Sequence, residues 1–83
     1  MNVVFAPRAR VDLRRLDPQI ARQILDAIER YSVAGVGDVV KLKGSRPPEF
    51  RLRIRDWRVR FRVNLVARTL DVLRVRHRSE AYR

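Results

Sequence analysis

The stretch from Phe50 to Val63 constrains this chain more than any other. Phe50, Leu52 and Ile54 alternate with Arg51, Arg53 and Arg55. After Asp56-Trp57, Val59, Phe61 and Val63 alternate with Arg58, Arg60 and Arg62. A period of two belongs to extended strands, whose successive side chains point to opposite faces; a helix would scatter the same arginines around its circumference. The pattern therefore predicts two antiparallel strands joined by a tight turn at Asp56-Trp57, with one apolar face and one arginine face. A further run, Thr69 to His77, sets Leu73 and Val75 against Arg74 and Arg76 and predicts a third strand, connected through Asn64 to Arg68. Like charges directly opposite one another destabilise a sheet. A chain that carries this load without evident acidic partners is expected to use the face. The alternative is a solvated surface, with arginine stems lying over the backbone.

The apolar face needs a cover, and the N-terminal half supplies one. Asn2 to Ala6 reads as a short strand. Pro7 suits the first turn of a helix, in which Ala9, Leu13 and Leu16 recur at helical spacing. Asp17-Pro18 is an N-cap acid followed by proline at the first helical position. The helix it opens carries Ile20, Ile24, Ala27, Ile28 and Tyr31 along one stripe, and Gly35 and Gly37 end it. Residues 1–83 thus read as a single α+β domain in the order β-α-α-β-β-β, with a last helical turn near Ser79 to Tyr82. A helical hairpin packs on one face of a small antiparallel sheet.

Charge locates the working surface. Residues 1–40 hold six arginines against five acids, whereas residues 41–83 hold fourteen basic residues against four acids. The excess belongs to the strand half and is nearly all arginine, whose planar fork suits phosphate. Such asymmetry points to a polyanion partner. The absence of cysteine excludes disulfides, a thiol nucleophile and a Cys-ligated zinc site. With one histidine, no multi-histidine metal cage forms within the chain, and no metal or other cofactor is expected. No apolar run approaches the roughly 20 residues of a membrane span, and no secretory signal opens the chain, so a cytoplasmic protein is expected.

Several segments together resemble the RelE/ParE superfamily of toxins from toxin–antitoxin pairs. They are Val4-Phe5 with Pro7-Arg8-Ala9, Leu16-Asp17-Pro18, Lys41-Leu42-Lys43-Gly44, the Phe50–Arg53 and Asp56–Phe61 hairpin, and Val72–Arg78 with Tyr82. Their order and spacing span nearly the whole chain. The resemblance implies a cognate antitoxin, acidic or with an acidic segment, as partner. It also implies one of two activities on a shared fold. RelE-like members cut mRNA in the ribosomal A site without a metal; ParE-like members inhibit DNA gyrase and cut nothing. The RelE-like reading is favoured, with mRNA on the ribosome and ribosomal RNA as partners.

By that resemblance Arg58 is a phosphate-binding, transition-state-stabilising residue. Arg78 is a candidate for the leaving group. Tyr82 is a candidate base or base-orienting residue whose hydroxyl would need the arginine field to ionise; its alternative is an aromatic lid on the core edge. Arg51 and Arg53 stand where the ribonuclease branch has lysines. Arginine stays protonated, so these two would hold phosphate and not move protons. Arg60, Arg76, Lys41 and Lys43 join them as candidate RNA contacts. His77 has the side chain best suited to acid–base exchange near neutrality, yet strict alternation places it with Leu73 and Val75 on the core side, so a structural role stands beside the catalytic one. Trp57 either stacks on a base or covers the end of the hairpin.

Overall fold

In the computed structural model, which describes residues 1–81, the chain runs β1 (Asn2–Phe5), α1 (Pro7–Arg14), α2 (Pro18–Ala34), β2 (Asp38–Lys41), β3 (Phe50–Ile54), β4 (Trp57–Asn64), β5 (Thr69–His77) and α3 (Arg78–Ala81). The five strands form one sheet in the order β1-β5-β4-β3-β2. Both long helices lie on one face. Ala9 from α1 and Ile24 and Ile28 from α2 pack with Leu52, Val59, Phe61, Leu70, Val72 and Val75 in a continuous buried cluster. Phe61 is its centre, stacked on Phe50 at 5.5 Å between ring centroids and tilted against Tyr31 at 5.4 Å. Burying one such side chain contributes about 1.5–3 kcal/mol.

Local signals place the helices where the sequence predicts. Pro7 opens α1 at its first turn. The Asp17 carboxylate accepts from the Gln19 N–H at 2.8 Å and so satisfies one of the orphan donors that every helix start leaves. Gly35 ends α2 in the left-handed conformation, φ 69°, and donates its N–H to the Tyr31 carbonyl. Gly37 follows for a different reason. A Cβ there would stand 2.9 Å from Leu52 Cδ1, so the chain passes close over the core only without a side chain.

The expected helical hairpin and strand hairpin are present; the sheet adds two features. It is mixed, because β1 runs parallel to β5, pairing Asn2 with Thr69 through Phe5 with Val72. It also gains β2, antiparallel to β3, from Asp38 opposite Arg53 to Lys41 opposite Phe50. Strand pairing is a tertiary choice, and four residues with one inward apolar side chain carry little period of their own.

Two details of register depart from strict alternation. Ile54 pairs with Trp57, so the hairpin turn is Arg55-Asp56, one residue earlier than expected. Arg55 occupies it at φ 52° and does not belong to the arginine face. On β5, Arg60 pairs with Arg74 but Phe61 with Val72, a bulge that leaves Leu73 without a partner. Leu70 and Val72 before the bulge and Val75 after it are all buried, while Leu73 is not in the core. The expectation that Leu73 and Val75 share the core face is corrected: the extra residue shifts the parity of the strand.

Candidate functional site

The register converts the arginine alternation into a grid. Arg51, Arg60 and Arg74 lie in one row across β3, β4 and β5, and Arg53, Arg58 and Arg76 in the next. Side chains opposite one another in such rows stand about 5 Å apart at Cβ. The Leu73 bulge brings Arg74 and Arg76 into line, since without it Arg60 would face Leu73. The following row ends the cationic area: Arg62 has Asp71 opposite it on β5 and bonds Glu49, the residue before β3.

The expectation of a face without acidic partners is corrected. Carboxylates arrive from distant elements. Glu49 Oε2 accepts from Arg60 Nε at 3.1 Å and Nη2 at 2.9 Å, and its Oε1 accepts from Arg62 Nη2 at 2.9 Å. Asp12 on α1 accepts a fork from Arg74, at 2.9 and 3.2 Å, and also the Val75 N–H at 2.9 Å. That fork raises the Arg74 pKa above the ordinary arginine range, chiefly through the hydrogen bond. Any stability from this shift is present below the ordinary arginine pKa and lost only above it, so Arg74 stays charged throughout the working pH range. Arg53 pairs with Asp38 at 2.9 Å on the exposed edge, and Arg76 approaches Glu80 at 3.8 Å.

Arg58 differs from its neighbours. It is only 8% exposed. Its Nη1 donates to the carbonyls of Arg55 at 2.8 Å and Trp57 at 3.0 Å, while its Nε is buried without a partner. Among the described residues no carboxylate lies within ion-pair distance of it. A buried, uncompensated cation is costly. Arg58 lines a cleft of about 180 Å³ together with Arg51, Arg60, Arg74 and Arg76, completed by Leu42 and Ala81. An anion entering the cleft would meet five guanidinium groups and supply the counter-charge that Arg58 lacks.

The other candidates are dispersed. Arg78 sits at the end of the hairpin, exposed, with its backbone N–H on the Asp56 carbonyl at 2.7 Å and its Nε 3.7 Å from the Asp56 carboxylate. His77 pairs with Trp57 in the register, on the core-side face, and the two rings meet edge to face at 5.2 Å. Its Nδ1 lies 2.9 Å from Ser79 Oγ and 3.2 Å from the Ser79 N–H. The bulge precedes His77 but does not turn it toward the arginines, because Val75 and His77 both follow the parity shift. Trp57 stands at the hairpin end against His77 and next to the core. Lys41 and Lys43 line a broad, open hollow of about 830 Å³ along the Lys41–Pro48 loop, outside the cleft. Tyr82 lies outside the described residues. Arg74, Glu49 and Asp12 were not among the sequence candidates. Arg74 carried the alternation as a signal, but Asp12 stands 62 residues from it and no local pattern links them. Among the described residues no cluster of three or more metal-ligating side chains forms, and no helix is long and apolar enough to cross a membrane.

Comparison with known proteins follows the same lines. The family model described as the ParE toxin of type II toxin–antitoxin systems (parDE) matches residues 3–82. Among solved structures, the archaeal RelE–RelB complex of Pyrococcus horikoshii OT3 contains a chain 25% identical, with TM-score 0.77 over 96% of this chain and 97% of that one. The RelB–RelE antitoxin–toxin complex of Methanococcus jannaschii contains one 26% identical, with TM-score 0.76 over 95% and 94%. The YoeB/ParE toxin of Agrobacterium tumefaciens is 25% identical, with TM-score 0.75 over 93% and 98%. No curated protein matches the sequence significantly.

Proposed function

The chain belongs to the ParE toxin family of type II toxin–antitoxin systems, within the RelE/ParE superfamily, and on that premise we propose that it is a ribosome-dependent mRNA endoribonuclease acting in the cytoplasm. The observation that carries this reading is Arg58: a buried cation without a carboxylate partner among the described residues, facing a cleft bounded by four more arginines. A phosphodiester has the charge and the size for that cleft. In the proposed reaction the ribose 2′-hydroxyl attacks the adjacent phosphorus and the bond to the 5′-oxygen breaks. The products are a 2′,3′-cyclic phosphate and a 5′-hydroxyl. Negative charge accumulates on the non-bridging oxygens, where Arg58 and Arg51 stabilise it more strongly than in the ground state. Arginine does not surrender a proton at neutral pH, so the base that takes the 2′-hydroxyl proton comes from elsewhere, and Tyr82 is assigned that role. Arg78 stabilises the departing 5′-oxygen, which takes its proton from solvent to leave as a hydroxyl, and Arg76 and Arg60 hold flanking phosphates. The assembly partner is a cognate antitoxin, like the RelB proteins complexed with the archaeal RelE chains; an acidic segment would complement the strand half.

The test is a cleavage map on a defined mRNA with and without programmed ribosomes. Cuts at A-site codons that fade in Arg58→Ala and Tyr82→Phe are expected. A second reading, a non-enzymatic gyrase inhibitor, is favoured by the ParE toxin model itself. Growth arrest without RNA cuts, together with blocked gyrase supercoiling, would replace the first reading by the second.

A further inference from the structure

Two rows of arginine on one sheet face would bind any polyanion, because each phosphate contact releases counterions whatever the sequence or geometry of the strand. The structure restrains that tendency at two places. Glu49, 7% exposed, engages both of its oxygens with Arg60 and Arg62. Asp12, on α1, holds Arg74, of the same row as Arg60, through Nε and Nη2. Each carboxylate is mostly withdrawn from solvent, so salt screens it weakly and its arginine stays engaged at physiological ionic strength. Arg58, in the next row, has no such partner among the described residues. The positive charge left unanswered is therefore concentrated on the cleft.

We propose that Glu49 and Asp12 are specificity-determining residues, which suppress indiscriminate polyanion binding by the arginine face and reserve its affinity for a phosphate seated against Arg58. A nucleic-acid strand lying across the face meets Arg60, Arg62 and Arg74 already turned to carboxylates. A phosphate that enters the cleft meets Arg58, whose Nη1 is held by two carbonyls but which has no carboxylate partner among the described residues. The inference rests on the reading of the face as an RNA-binding surface, but not on cleavage. The alternative role for both carboxylates is structural, relieving repulsion between strands; Glu49 also anchors the loop before β3 by accepting the Leu42 N–H at its carbonyl.

The two roles predict opposite signs. Glu49→Gln and Asp12→Asn are compared with the unmodified full chain for binding a labelled single-stranded RNA oligonucleotide across a range of KCl concentrations. Inorganic phosphate serves as competitor, and thermal melting monitors the fold. Both variants are expected to bind the oligonucleotide several-fold more tightly at low salt. The log Kd against log salt dependence should steepen by about 0.7 for each freed phosphate contact. The phosphate concentration that displaces the RNA should rise in the variants, because the freed arginines add contacts to the strand beyond the one phosphate seated against Arg58. Asp12→Asn retains an oxygen for the Val75 N–H, so it decides the matter if Glu49→Gln fails to fold. Unchanged or shallower salt dependence in a folded variant overturns the proposal, as does unfolding of both variants. Steeper dependence in a chain that never cuts RNA would refute the ribonuclease reading and leave this inference standing. Ribosome-dependent cleavage with unchanged salt dependence would do the reverse.

Discussion

On the helix side of β4, Val59 and Phe61 are buried among Ile24, Ile28 and Leu52, and every neighbour adds to the stability of the packing. On the opposite side of the same strand, Arg58 is almost as thoroughly buried, yet nothing described in the fold neutralises its charge. One face is satisfied within the folded chain, and the other holds a charge that no described carboxylate answers. The comparison teaches that burial alone does not mark a structural residue. What matters is whether the fold satisfies the group it buries. Active sites commonly hold such locally unfavourable arrangements, which the rest of the fold must support.

The largest effect that would separate the faces is on stability. Phe61→Ala removes a ring that touches Phe50 and Tyr31 and should cost about 3–5 kcal/mol. In a chain of this size that lowers the melting temperature by roughly 12 °C or more. A melting curve that barely moves would mean that the core is not centred on β4. Next comes Arg58→Ala, with the opposite signature. Cleavage should fall about 10²–10³-fold, as for other preorganised charge stabilisers, while the melting temperature holds or rises because an uncompensated buried cation is gone. Loss of stability without loss of activity would place Arg58 on the structural side of the comparison. Arg58→Lys should restore little, since one ammonium cannot both replace Nη1 on the Arg55 and Trp57 carbonyls and offer a phosphate the planar fork of a guanidinium.

Smaller effects test the scaffold that carries both faces. Asp17→Ala deletes the N-cap of α2 and should cost about 1 kcal/mol in chemical denaturation. Gly35→Ala forces a side chain into the left-handed region at the other end of that helix, with open space around it, and should cost about 1 kcal/mol from backbone strain alone. Neither change should alter the salt dependence of RNA binding. If either did, the helix layer and the arginine face would be coupled more tightly than their separation across the sheet implies.

Much of this architecture was legible residue by residue. The 50–63 alternation specified a hairpin and sorted its side chains into two sets, and Asp17-Pro18 and Gly35 bracketed α2. Less legible were the features that depend on partners. β1 carries no mark of its parallel pairing with β5, and β2 becomes a strand only because β3 lies beside it. The bulge at Leu73 was hidden because Leu73-Arg74-Val75-Arg76 still alternates perfectly when read alone. At the site, the alternation pointed to Arg51, Arg58 and Arg60, and the cleft unites them with Arg76. Arg53 turned to Asp38 on the edge strand, Arg78 lies at the hairpin end, and His77 stayed on the core-side face.

Taken alone, the sequence determined the two-faced hairpin, the capped helix and the concentration of arginine in the strand half, because periodicity and capping act over a few residues. Only the tertiary structure decided which arginines keep an unanswered charge. That outcome turns on Asp12 meeting Arg74 across 62 residues, on Glu49 reaching Arg60 and Arg62, and on no carboxylate among the described residues reaching Arg58. Electrostatic neutralisation depends on distance in space, and distance in space is set by the packing of the whole chain.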